Sequence, residues 1–298
     1  MQQITYHGWK NCYRLANQQL ELVITADVGP RVIRCGFIGD ENEFWEDPIL
    51  QGQTGGAEWV NYGGHRLWHA PEVMPRTYAP DNGPVTVSEV DGWLRFQQPV
   101  ESSTGIQKTM EVRLDVEEAQ VEVTHRLRNT NLWTVELAPW ALSVMAPGGT
   151  AILPLPPRGL HEGNLTPTST LALWAYTDLR DPRWTWGTRY LLLRQDPHAS
   201  TPQKIGARVP DGWLAYARRG HLFVKTFAYA ETGTYPDRGC NVEFFTSSAM
   251  LELETLGQLV RLAPGTEVLH REQWHLYDQV PLPTNDDEVV KYVLPRLT

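Results

Sequence analysis

The stretch VTVSEVDGWLRFQQPV, Val85 to Val100, alternates apolar and polar residues on both sides of Asp91-Gly92. Alternation with period 2 buries one face of a strand. Asp-Gly supplies the positive φ that a two-residue type I′ turn requires, so the stretch reads as an antiparallel hairpin. The same period runs outward from it through LELVITA (Leu20 to Ala26), RVIRCGFI (Arg31 to Ile38) and Lys108 to Asn129, and again through Gly212 to Ala230, where Arg219-Gly220 is the expected turn. It continues through Asn241 to Gly257 and Thr266 to Asp278. Helical spacing appears only in TNDDEVVKYVLPRLT, where Thr284 or Asn285 caps an acidic first turn. The fold class is therefore all-β: a large two-sheet antiparallel β-sandwich with a short C-terminal helix.

The chain has 298 residues, 41% hydrophobic and 20% charged, which is enough for a sizeable core. No composition break or repeat divides it, so residues 1–298 are expected to form one domain. ILPLPPRG (Ile152 to Gly159) and TDLRDPRWTWG (Thr177 to Gly187) read as long excursions. A net charge of −9 opposes binding to phosphate backbones, which excludes nucleic acid as a partner. No apolar run reaches the roughly 20 residues that span a bilayer, and MQQITYHGWKN lacks a signal-peptide pattern, so a cytoplasmic protein with no membrane partner is expected. Cys12, Cys35 and Cys240 are far apart and read as reduced thiols. The aromatic balance of 12 Trp, 11 Tyr and 7 Phe suits either a stacking platform for sugar rings or the filling of a sandwich.

Two stretches concentrate chemistry. In NYGGHRLWHAPE, Asn61 to Glu72, His65 and His69 stand four apart with Glu72 three further on, as metal ligands on a helix would. Gly63-Gly64 and Pro71 oppose a helix, and Arg66 stands where a zinc protease has its glutamate, so no metal is expected. The imidazoles could satisfy backbone groups around a turn. Alternatively the stretch is a ligand-facing loop, Arg66 giving planar paired donors and Trp68 a stacking face. In MLELETLGQL, Met250 to Leu259, a strand would send Leu251 and Leu253 to one face and Glu252 and Glu254 to the other, about 7 Å apart. Such a pair is either a solvated exterior or part of a site, to which the preceding YPDRGCNVEFF adds Tyr235, Asp237, Asn241 and Glu243. Crowded carboxylates raise one another's pKa toward neutrality.

With G-G-H-R-L-W at Gly63, A-P-W-A-L-S-V-M-A-P-G-G at Ala138, L-E-L-E-T-L-G at Leu251, Pro264-Gly265, and His270, Glu272 and Trp274 in one strand, the chain from roughly Leu20 to Leu276 resembles the galactose mutarotase-like superfamily. The resemblance implies its supersandwich fold and no cofactor. In the aldose 1-epimerases of that group, a glutamate in L-E-T takes the anomeric proton and a histidine protonates the ring oxygen. The first role falls on Glu254. The segment that carries the histidine aligns with ELAPWALSVM and puts Trp140 there, so the acid is sought among His65, His69 and Lys225, and Arg66 takes the place of a sugar-binding arginine.

The implied function is mutarotase- or epimerase-type acid/base chemistry on a free or acidic sugar. Substrate-binding residues are expected at Arg66, Trp68, Glu72, Trp140, Lys225, Tyr235, Asp237, Asn241, Glu243 and Glu252. A non-catalytic carbohydrate-binding protein is the alternative. A glycoside hydrolase fits less well, because Glu252 and Glu254 would lie on one side of a bound sugar, and a lyase would need a tyrosine base and a charge neutraliser, such as Tyr235 with Arg66 or Lys225. The partner is a small-molecule sugar, with a homodimer as the candidate assembly. Arg66, Trp68, Lys225 and Glu254 are expected to line one concave cleft.

Overall fold

The computed structural model describes residues 1–297. Two antiparallel sheets face each other. The first has eleven strands, in the order Gln2–Tyr6, Trp9–Ala16, Leu20–Thr25, Arg31–Phe37, His65–Ala70, Val135–Met145, Leu251–Leu256, Val242–Thr246, Gln203–Ala207 and Leu171–Leu173, with Val260–Leu262 added beside Val135–Met145. The second has ten: Trp184–Trp186, Tyr190–Arg194, Thr150–Pro154, Trp213–Arg218, His221–Phe227, Glu267–Tyr277, Gln120–Asn129, Ile106–Leu114, Trp93–Gln97 and Thr86–Val90. The all-β sandwich expected from the alternation is the observed architecture.

Its local causes are visible. Thr86–Val90 and Trp93–Gln97 meet through Asp91 (φ 51°) and Gly92 (φ 78°), and Trp213–Arg218 and His221–Phe227 meet through Arg219 (φ 53°) and Gly220 (φ 84°). Both pairs have the positive φ of a type I′ turn, whose twist matches that of the strands it joins. Asn285 caps the helix Asp286–Tyr292 by accepting from the Glu288 N–H. Of the two excursions, ILPLPPRG begins inside Thr150–Pro154 and only then leaves the sheet, and TDLRDPRWTWG contains the short strand Trp184–Trp186. Among the described residues no helix is long and apolar enough to cross a membrane.

The main core fills the space between the sheets, with Leu22, Phe96, Met110, Leu251, Leu253 and Trp274 within it. Val289 and Val293 of the C-terminal segment pack on Leu192 and Val224 across the outer face of the second sheet. On the first sheet, His65–Ala70 and Leu251–Leu256 are buried along their whole length. Their outward side chains are therefore covered as well, and what covers them forms the site.

Candidate functional site: a carboxylate-rich cleft on the first sheet

NYGGHRLWHAPE enters the sheet as a strand and is not a surface loop. Gly63 and Gly64 turn the chain at φ 89° and 68°, and a Cβ on Gly64 would stand 2.4 Å from the Val32 carbonyl oxygen, so only glycine fits. Alternation then divides the stretch. Arg66 and Trp68 point outward, whereas His65 and His69 point between the sheets, where they meet His125 and Glu101. Register carries the outward set across the sheet: Arg66 pairs with Leu142, Leu142 with Glu254, Glu254 with Glu243, and Glu243 with Gly206. A parallel row pairs Glu252 with Phe245 and Phe245 with Lys204. Directly opposed residues share a face, so groups from five strands converge on one floor.

Above that floor lies a cavity of about 240 Å³, with Arg66, Trp68, Trp140, Lys204 and Glu252 at its base and Trp59, Glu72, Tyr78 and Tyr176 from the surrounding loops as walls. Arg66 donates to Glu252 at 2.9 Å, and its guanidinium lies 4.6 Å from the Trp68 ring centroid and 5.3 Å from that of Trp59. Its Nε and Nη1 are buried without partners, as are the indole nitrogens of Trp59 and Trp68. Tyr78 donates to Glu72. Lys204 stands 2.8 Å from Glu243 and 3.2 Å from Glu254, between the ring faces of Trp140 and Trp174 at 4.9 and 4.8 Å. Trp140 donates its indole N–H to Glu254 Oε2 at 2.9 Å, while Oε1 of the same carboxylate has no partner. A larger hollow of about 360 Å³ around Leu15, Leu94 and Leu114 holds no buried ionisable group, since Glu89, Arg113 and Asp115 at its rim are exposed.

Burial raises the pKa of Glu254, Lys204 opposes this, and Glu252 adds to it, for a net rise. Glu243 is raised well above the ordinary carboxylate value, again by burial first, with Lys204 opposing and Glu254 reinforcing. Burial would lower Lys204, but Glu243 and Glu254 outweigh it and hold the ammonium well above its usual value. Two carboxyls thus share one cation, so one of them tends to keep a proton.

Behind the floor is a second cluster. Ser143 and His65 Nδ1 are 2.8 Å apart, His65 and His125 meet Nε2 to Nε2 at 2.7 Å, and His125 Nδ1 lies 3.0 Å from the His270 carbonyl oxygen. Lys225 pairs with Glu272 at 2.8 Å, and Trp274 and Thr255 also donate to Glu272. Ligand atoms of His65, His125 and Glu272 lie within 4.8 Å of one another, the composition of a divalent-cation site. The contact between the two imidazoles, however, already uses the lone pair such an ion would take.

The residues singled out from sequence therefore separate. Arg66, Trp68, Glu72, Trp140 and Glu252 border the cavity, and Glu254 and Glu243 lie beneath it. Lys225, expected in the cleft, points between the sheets, because its strand belongs to the second sheet. His65 and His69 are likewise turned away from it. Tyr235 is buried against Tyr229 and accepts from the Ala230 N–H. Asn241 brackets the Val209 backbone. Asp237 sits at φ 48° in the turn before Cys240 and acts on Glu243 only through its charge.

No family model matches the chain, and no curated protein matches it. Solved structures do. Slr1438 protein from Synechocystis sp. PCC 6803 superposes with a TM-score of 0.56 at 11% identity, over 93% of this chain and all of that one. A galactose mutarotase-like protein from Lactobacillus casei gives 0.55 at 9%, over 90% of this chain and all of that one. A galactose mutarotase related enzyme from Lactobacillus acidophilus gives 0.51 at 12%, over 92% and 99%. The chain has the galactose mutarotase-like fold.

The cavity thus combines flat aromatic walls with the unpaired N–H groups of Arg66, Trp59 and Trp68. Sequence reading missed Lys204, Trp59, Tyr78, Trp174 and Tyr176. A signal existed for Lys204: in QKIGA a single lysine interrupts a strand whose five residues are all buried, and a buried lysine needs an anionic partner.

Proposed function

We propose that the cleft binds a monosaccharide and interconverts its anomers by acid/base chemistry, with Glu254 as the base and Arg66, Trp68, Glu72, Trp140 and Glu252 as binding residues. The observation that carries this reading is the state of Glu254: Oε2 is held by Trp140 and Lys204, Oε1 is unpartnered, and burial raises its pKa. A buried acceptor without a partner is costly unless a ligand uses it. Titratable groups with shifted pKa gathered at a cavity are the ordinary mark of acid/base work. The similar proteins from both Lactobacillus species carry mutarotase in their descriptions, which supports the same chemistry. Buried, unbridged Cys12, Cys35 and Cys240 fit a reducing cytoplasm.

Glu254→Gln keeps shape while removing the base. It is expected to lower the rate of anomer interconversion by about 10²–10⁴-fold with sugar affinity little changed, measured by NMR or polarimetry on a panel of neutral and acidic aldoses and by calorimetry. Trp140 at the place of the resembling enzymes' histidine favours a second reading, a sugar-binding protein without catalysis. That reading wins if some sugar binds both proteins but interconverts no faster with wild type than with Glu254→Gln.

A further inference from the structure

We propose that Lys204 is the proton donor of this site, taking the place of the missing imidazole; the inference rests on the anomer-interconverting reading above. The two oxygens on an anomeric carbon are closer together than a hydrogen-bond length. A group that serves the ring oxygen must therefore stand beside the one that serves the anomeric hydroxyl. Lys204 is 3.2 Å from Glu254 and borders the cavity. The histidines His65, His125 and His270 lie between the sheets, on the other side of the strand Leu251–Leu256 that carries Glu254. Glu243, the other carboxyl, is paired with Lys204 at 2.8 Å, Tyr78 is engaged with Glu72, and Tyr176 is 43% exposed to water.

An ammonium has three donors. Glu243 and Glu254 take two, and the third is left for a ligand. Trp140 and Trp174 fix the side chain between their faces. At Gly206, opposite Glu243, a Cβ would come within 2.8 Å of Cys240 Sγ and 3.3 Å of Trp174, so the glycine keeps this wall close.

The step balances without any co-reactant. Glu254 takes the proton from the anomeric hydroxyl, whose O–H pair forms the carbonyl as the bond from the anomeric carbon to the ring oxygen breaks. The ring oxygen takes that bond's electron pair and a proton from Lys204 Nζ. After rotation of the carbonyl, the Lys204 amine recovers its proton, the ring closes, and Glu254 returns its proton to the new anomeric oxygen. The alkoxide released at the ring oxygen is a far stronger base than a lysine amine, so the transfer runs downhill even from an ammonium of high pKa. Glu243 keeps Lys204 charged at rest.

The test uses the full chain and compares wild type, Glu254→Gln, Lys204→Arg and Lys204→Ala on the best aldose of the panel. Lys204→Arg retains the charge, but a guanidinium does not release its proton. Both Lys204 variants are expected to lose about 10²-fold or more in kcat with sugar affinity within a few-fold of wild type. Methylammonium and ethylammonium are expected to restore Lys204→Ala in proportion to their concentration. Activity of Lys204→Arg within a few-fold of wild type would mean that charge alone suffices, and the proposal fails while the role of Glu254 stands. Lost activity with weakened binding and no rescue makes Lys204 a binding group and overturns the proposal too. If Lys204→Ala does not fold, Lys204→Arg alone decides. If wild type accelerates no sugar beyond Glu254→Gln, the reading beneath the proposal fails first and takes it along.

Discussion

The strand Leu251–Leu256 carries two buried polar clusters back to back. Toward the cleft stand Glu252 and Glu254 with Arg66, Lys204 and Glu243; toward the second sheet stands Thr255 with Glu272, Lys225, His65, His125 and His270. Both are desolvated, but they are finished differently. No side-chain nitrogen or oxygen of the inner cluster is buried without a partner, whereas the cleft leaves atoms of Arg66, Trp59, Trp68 and Glu254 in that condition. A network closed on itself needs nothing more and joins the sheets. A network with open valences is poised for something that arrives. Burial does not separate the two clusters, and the unfilled donors and acceptors beside a cavity do.

The sharpest way to break this contrast is to cut one member from each side. Glu272→Leu strands Lys225 as an unpaired buried charge and removes the acceptor of Thr255 and Trp274. It should cost about 3–5 kcal/mol by urea unfolding, and Lys225→Met added to it should recover part of that. Glu254→Gln should leave stability within about 1 kcal/mol and show its effect in turnover. Equal losses of stability would erase the distinction.

Next in size is the response to pH, where the two clusters should pull in opposite directions. Burial depresses all three inner histidines, His270 to about 3. In the unfolded chain they bind protons below about 6.5, while the folded protein binds none until their lower values are reached. Stability is then fully present above about pH 6.5 and is lost as pH falls, each histidine contributing up to about 1.4 kcal/mol per pH unit. Glu243 is raised instead, so its contribution is present at low pH and is lost as pH rises from about 4.5 through its folded value. Urea midpoints from pH 4 to 8 should fall steeply on the acid side in wild type and less steeply in His65→Gln, and Glu243→Gln should lose the opposing slope. Acid lability unchanged in His65→Gln would contradict a neutral state of the inner imidazoles.

The smallest effect expected is at Arg66. Arg66→Lys keeps the charge but loses the planar contact with Trp59 and Trp68, and should weaken sugar binding by about 1–2 kcal/mol in calorimetry with little change in the urea midpoint. A large drop in the midpoint would assign Arg66 to the scaffold.

Much of the sandwich was legible because its causes are local. Asp91-Gly92 and Arg219-Gly220 carry the φ angles of their turns, Asn285 carries its cap, and the alternation in LELET alone separates Leu253 from Glu254. The limit of such reading is the partner. HRLWHA shows that Arg66 and His65 must face opposite ways once the stretch is a strand, but which side becomes the cleft depends on His125, 60 residues away, and Glu252, 186 residues away. Lys225 and Lys204 look alike as single lysines in apolar strands, and only pairing across the sheets sends one to Glu272 and the other to Glu254. Trp140 shows a further limit: the resemblance sets it where the family has a histidine, and only the coordinates show its indole N–H bound to the Glu254 carboxylate.

Because one strand is fastened on both faces, the floor of the cleft should be the part of the molecule that opens least. Amide hydrogens of Leu253 to Leu256 should exchange with deuterium only on global unfolding, while those of the loops bearing Trp59, Tyr78 and Tyr176 exchange through local opening. Adaptation to ligands of different size would then fall to the walls, above a base plate that keeps its spacing whatever is bound.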